Sequence, residues 1–229
     1  MMRSGLWLLL LAVLAGCSGV PTKPKAAPHA VVATGQGWWY AAFQFQWPKS
    51  EKWPAWHRDI QVAYRIIEPV LEAHREEITL WRVHRRAGRD RRGHRFSFIF
   101  YASPVAASQI YADIEANPHL VAWRQAGWIQ KVHFDDVTRV SRPHIEDTSD
   151  PGWPLIIQQT WPAFIMGVSE MWLDLVTRLG DEYVSDEDEE ASYLKVNQAL
   201  DQLWRGNARH AFLHHLNAIY AYQPFLTRY

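Results

Sequence analysis

The chain has 229 residues, with 24 basic and 24 acidic side chains and a single cysteine. The charge balance excludes the broad positive excess of a general nucleic-acid binder, and one cysteine excludes an internal disulfide. Tryptophan is the outlier, at 13 residues; indoles fill cores and seams but also form stacking surfaces for sugars, and the packing role is the simpler of the two.

The chain opens Met1-Met2-Arg3-Ser4, follows with an apolar run from Leu6 to Leu14, and reaches Leu14-Ala15-Gly16-Cys17. A charged start, a short apolar core and small residues before a cut site describe a secretory signal peptide. The apolar run is shorter than the roughly 20 residues that a membrane-spanning helix needs, and no later segment is apolar enough to span.

Leu14-Ala15-Gly16-Cys17 resembles the lipobox of bacterial lipoproteins. The resemblance covers about the first 19 residues. It implies cleavage before Cys17, acylation of its sulfur with diacylglycerol and usually of the new amino group, and attachment to the cell envelope. Ser18 resembles the residue found in proteins sent to the outer membrane, at its periplasmic face. Acylation would also remove the only free thiol, and more than one acyl chain makes an anchor stable. Removal of residues 1–16 would leave 213 residues (229 − 16) and 23 basic against 24 acidic side chains, since Arg3 departs. Residues 17–36, rich in Ser, Gly, Pro, Thr, Lys and Ala, read as a flexible tether.

Gly37–Trp47 alternates at period two, with Trp39, Ala41, Phe43, Phe45 and Trp47 on one face, and reads as a strand. Residues 55–77 read as a helix, with Pro69 expected to kink or split it. Ile78–His84 and Arg95–Tyr101 read as strands two and three, joined by a polar connection with glycines at 88 and 93. Ser103-Pro104 marks a helix start, the helix stopping at Asn117-Pro118. A short helix over 119–126 ends at Gly127, and Trp128–Asp135 reads as the fourth strand. The order strand, helix, strand, strand, helix, strand over 37–136 predicts an α+β fold of the ferredoxin-like βαββαβ type. Beyond it, 137–229 predicts an all-helical unit, packed on the first or standing apart. Its helices are expected at Pro162–Leu179, closed by Gly180, then from Ser185 or Asp186 to Arg205, and from Asn207 to Tyr222; Pro154–Thr160 reads as only a turn or two.

Four features invite chemistry. His210, His214 and His215 place two imidazoles one helical turn apart, the spacing of a zinc or copper pair, which would need a third ligand such as His57, His74, His133 or Glu170; histidines in ordinary hydrogen bonds are the simpler reading. Arg85, Arg86, Arg89, Arg91 and Arg92, flanked by Arg82 and Arg95, form a candidate patch for an anionic ligand or lipid, or a charged hairpin tip that guards a sheet edge. Asp181, Glu182 and residues 186–190 form an acidic run that suits a helix start, a cation site, or docking to the Arg hairpin. Trp-Pro pairs at 47–48, 53–54, 153–154 and 161–162 read as element boundaries. No G-x-S-x-G, P-loop or G-x-G-x-x-G is present. The expectation is therefore a membrane-anchored, non-catalytic accessory lipoprotein that binds an envelope protein or anionic lipid, not nucleic acid. The alternatives are a periplasmic metal-binding protein or enzyme built on His210 and His214, and a Trp-lined glycan or small-molecule binder.

Overall fold

In the computed structural model, residues 35–185 and 187–222 are described. Cys17, the leader expected at 1–16 and nearly all of the tether lie outside them. The described part is α+β, with one four-stranded antiparallel sheet of β1 (Gly37–Phe45), β2 (Leu80–Ala87), β3 (His94–Ala102) and β4 (Ile129–Phe134), in the spatial order β2-β3-β1-β4. Its helices are α1 (His57–Val62), α2 (Glu68–Ala73), α3 (Pro104–Ala116), α4 (Pro118–Gln125), α5 (Leu155–Tyr183), α6 (Glu189–Leu203) and α7 (His215–Ile219).

Alternation along the strands makes the sheet two-faced. Trp39, Ala41, Phe43 and Phe45 of β1 and Phe96, Phe98 and Phe100 of β3 bury one face under α1–α4, joined by Ile60, Ile66, Ile110, Ile114, Leu120 and Trp123. Leu173 and Val176 of α5 and Tyr193 and Val196 of α6 enter this same cluster. At one end of the opposite face, Trp38, Ile99 and Tyr101 form a small second cluster under Ile145. There Trp38 Nε1 donates to the Ile145 carbonyl and Tyr101 Oη to that of Pro143.

Two prolines sit inside helical runs, and each is accommodated by a donor from elsewhere. Proline cannot bond the carbonyl four residues back. Behind Pro69 that carbonyl is Arg65's, and Asn117 Nδ2 donates to it at 3.0 Å. The backbone widens into a π turn over Ala63–Ile67 at this point. Behind Pro162 the carbonyl is Gln158's, and Ser149 Oγ donates to it at 2.6 Å. Hence α5 runs unbroken for 29 residues through Pro162 and past Gly180, where the sequence suggested a turn and then a shorter helix. Gly180 does not close the helix. It makes room, since a Cβ there would lie 2.5 Å from the ring of Tyr64. Gly206 likewise lies within helical backbone, because α6 continues through π turns at Trp204–Ala208 and His210–His214 into α7.

His74 follows α2 and holds two carboxylates. Nδ1 bonds Glu77 at 2.6 Å and Nε2 bonds Asp113 of α3 at 2.7 Å. Burial opposes its charge, but the two carboxylate hydrogen bonds outweigh that and raise its pKa above the ordinary histidine value. A raised folded-state pKa stabilises most below the unfolded value near 6.5, and the benefit fades as pH rises through the folded value. His74→Gln is expected to cost about 1 kcal/mol at pH 5.5, the half-exposed carboxylates limiting the effect, and less at pH 9, by urea denaturation. Equal losses at both pH values would contradict the charged pairing.

Candidate functional site

Asp59, on the first turn of α1, is fully buried. A buried carboxylate must be paired and hydrogen-bonded. His94 Nε2, at the start of β3 and equally buried, donates to its Oδ1 at 2.8 Å. Arg85 Nε, on β2, donates to its Oδ2 at 2.7 Å, and Arg85 Nη2 donates to the Trp56 carbonyl at 3.0 Å. The His94 ring packs between Phe45 and Trp56, with centroids 4.7 and 5.1 Å away. The Arg85 guanidinium lies 5.1 Å from the Trp56 ring and 5.3 Å from that of Trp172 on α5. One carboxylate thus joins a helix and two strands and fixes a guanidinium between two indoles.

Arg85 is not buried with Asp59. It lies on the wall of a groove of about 750 Å³ that runs between α5 and the helical run beginning with α6. Ile165, Val168, Trp172 and Leu175 line one side, Leu200, Trp204 and Phe212 the other, with Asn197, Asp201 and Arg205 as polar lining. Trp204 and Phe212 are exposed. An apolar concavity with a few fixed polar groups is the usual form of a binding site. His94 and Asp59 are sealed beneath it, so they position Arg85 and do not meet a ligand.

The arginines singled out by sequence separate. Arg85 turns toward the core face and serves the groove. Arg86 turns to the other face and pairs with Asp90. Arg89 stacks on Trp47, 3.5 Å from its centroid, and donates to the Pro48 and Glu51 carbonyls. Arg91 and Arg92 lie exposed on the hairpin tip. Arg82 lies over the Trp161 ring at 5.0 Å.

His210 and His214 are brought together, their rings stacked 4.8 Å apart, with His215 edge-on to His214 at 5.5 Å. The suggested third ligands are elsewhere: His57 faces Glu190, His74 holds Glu77 and Asp113, and His133 contacts Gln44. Glu170 lines a separate cavity of about 390 Å³, with Glu68, Arg75 and Asp174. Among the described residues, no three His, Cys, Asp or Glu side chains converge as a metal site.

The acidic run meets the helical layer and not the Arg hairpin. Asp181 accepts from Tyr64 Oη, Asp188 caps α6 by accepting from the Ala191 amide, and Glu189 and Glu190 lie 3.9 Å from Arg65 and 3.6 Å from His57. Asp186 lies outside the described residues. The Trp-Pro boundaries are mixed, since Pro154 caps α5 while Trp161-Pro162 lies within it.

Removal of Asp59 by Asp59→Ala would strand a buried imidazole and free Arg85. A loss of about 3 kcal/mol is expected from guanidinium denaturation, and a loss under about 1 kcal/mol would show that the carboxylate is not what holds the cluster. Comparison with protein-family models, with curated proteins and with solved structures finds no match to this chain.

Proposed function

We propose that this chain is a lipid-anchored binding protein of the cell envelope, held at the periplasmic face of the outer membrane through Cys17. In this reading it accepts an apolar segment of an envelope partner protein in the groove between α5 and the α6 run. The observation that carries the binding half is the open aromatic wall of Trp172, Trp204 and Phe212 beside a fixed Arg85. Trp and Arg in a concavity are the residue types that dominate partner affinity, and an amphipathic helix laid into an apolar groove is a recurrent mode. The Leu-Ala-Gly-Cys motif at 14–17 supports the anchor. Among the described residues no helix is long and apolar enough to cross a membrane.

A ferredoxin-like reading of residues 37–136 is supported by the element order β-α-β-β-α-β and by the sheet order β2-β3-β1-β4. That fold hosts unrelated activities and contributes nothing to the functional reading by itself. A second reading has its own observation: Trp56, Trp172 and Trp204 all line the groove, which would suit stacking on a glycan or a small planar ligand.

Two measurements test the proposal. Intact mass of the native protein from membranes is expected to show a chain starting at an acylated Cys17; a retained leader or a bare thiol overturns the anchor. Leu200→Arg places a charge in the groove wall without touching Asp59. In pull-downs from detergent-solubilised membranes, it is expected to lower capture of a wild-type partner at least tenfold, with unchanged circular dichroism. Undiminished capture would remove the groove from the function, while loss of binding to a soluble glycan alone would favour the second reading.

A further inference from the structure

The sheet face turned away from the core carries a row of basic side chains. The register sets Arg86 opposite Arg95, Arg95 opposite Gln44, and Gln44 opposite Lys131, a line across all four strands. Directly opposite residues share a face, and these alternate with Phe96 and Phe43 on the core side. The adjacent row is His84, Ser97, Ala42 and His133. At about 4.8 Å per strand, each row spans roughly 14 Å. The rows lie at the hairpin end, where Arg91 and Arg92 are exposed; Trp161 covers Arg82 farther along the same face.

Of the three charges in the first row, Arg95 and Lys131 have no carboxylate partner among the described residues. Arg86 has Asp90. Among the described residues Arg95 reaches Gln44 Oε1 and His133 Nε2, each at 3.4 Å, and its Nε is buried with no acceptor there. Lys131 is exposed. Two like charges directly opposite on neighbouring strands repel. Protection of sheet edges accounts for basic residues on the outer strands β2 and β4, but Arg95 is on the inner strand β3. Burial, then Arg92 and Arg86, lower the Arg95 pKa, with Asp90 opposing them; burial, then Arg95 and Lys131, lower that of His133. The local field is therefore positive on a chain that is neutral overall.

We propose that this face docks on the phosphate-bearing head groups of an anionic lipid bilayer. A bilayer fits better than a small anion because the charges are spread over a broad sheet surface, not gathered around one point. The choice of a bilayer rests on the anchor reading: residues 17–36 give 20 residues of reach, up to about 66 Å when extended, against about 30 Å along β1 from Gly37 to the hairpin end. The basic face can therefore touch the membrane that holds Cys17.

Among the described residues the buried core runs from Trp38 to Val196, and the chain from Ser18 onward contains all of it while separating charge from anchor. It is expected to sediment with phosphatidylcholine vesicles containing about one-third phosphatidylglycerol, at least tenfold better than with phosphatidylcholine alone. That preference should disappear in about 0.5 M salt. Arg95→Gln with Lys131→Gln should lower the partition about tenfold or more. Arg92→Gln with Lys131→Gln, both on exposed side chains, keeps the test valid if Arg95→Gln unfolds the chain. The proposal is overturned by equal binding to both vesicle types, by undiminished binding of both variants, by full competition from millimolar inorganic phosphate, or by tighter capture of a single-stranded oligonucleotide than of vesicles. Absence of vesicle preference beside an acylated native Cys17 defeats this inference alone; a bare thiol in the native protein defeats the anchor and, with it, the choice of a bilayer.

Discussion

The need to neutralise one carboxylate under the sheet organises the rest of the molecule. Asp59 enters the core on the first turn of α1 and has no exposed surface. Its charge requires donors, and β2 and β3 supply them through Arg85 and His94. Meeting that requirement sets where α1 lies against the sheet. It also holds Arg85 at the lip of the groove, between Trp56 and Trp172. A flexible surface arginine would lose rotamer freedom on meeting a ligand; here that freedom is already removed. The groove is thereby connected to the core through a single side chain.

A second constraint governs the helices. Every buried carbonyl needs a donor, and proline withholds one. Asn117 and Ser149 replace the missing bonds behind Pro69 and Pro162. Each replacement also links distant segments: the cap of α4 to the π turn after α1, and the long 135–154 connection to α5. The prolines that would interrupt isolated helices become points where the tertiary structure is fastened.

Much of the sheet was legible because period-two alternation is a local signal. Trp39, Ala41, Phe43 and Phe45 announce β1, and Phe96, Phe98 and Phe100 announce β3, with boundaries shifted by a residue or two. The long helix was not legible, because tolerance of Pro162 depends on Ser149, a residue in another segment. The groove was hidden for a related reason. Asp59, Arg85 and His94 are 26 and 35 residues apart along the chain, and no local motif joins them. The arginine cluster was visible as composition, but alternation sends Arg85 and Arg86 to opposite faces, so its neighbours in sequence are not its neighbours in space. Arg95 and Lys131 fall in one row, on either side of Gln44, only through strand register.

The two borders of the sheet are treated differently. On β2, the Val83 amide donates to Ser169 Oγ of α5 at 3.2 Å, and that hydroxyl in turn donates to the Ile165 carbonyl. This amide is thus taken by a helix. On β4, among the described residues, no side chain bonds a backbone amide of the strand. Strand addition at β2 would have to displace the contact of Val83 with α5. A border with a helix seated on it is a poor template for another chain's strand, so α5 both completes the core and guards β2.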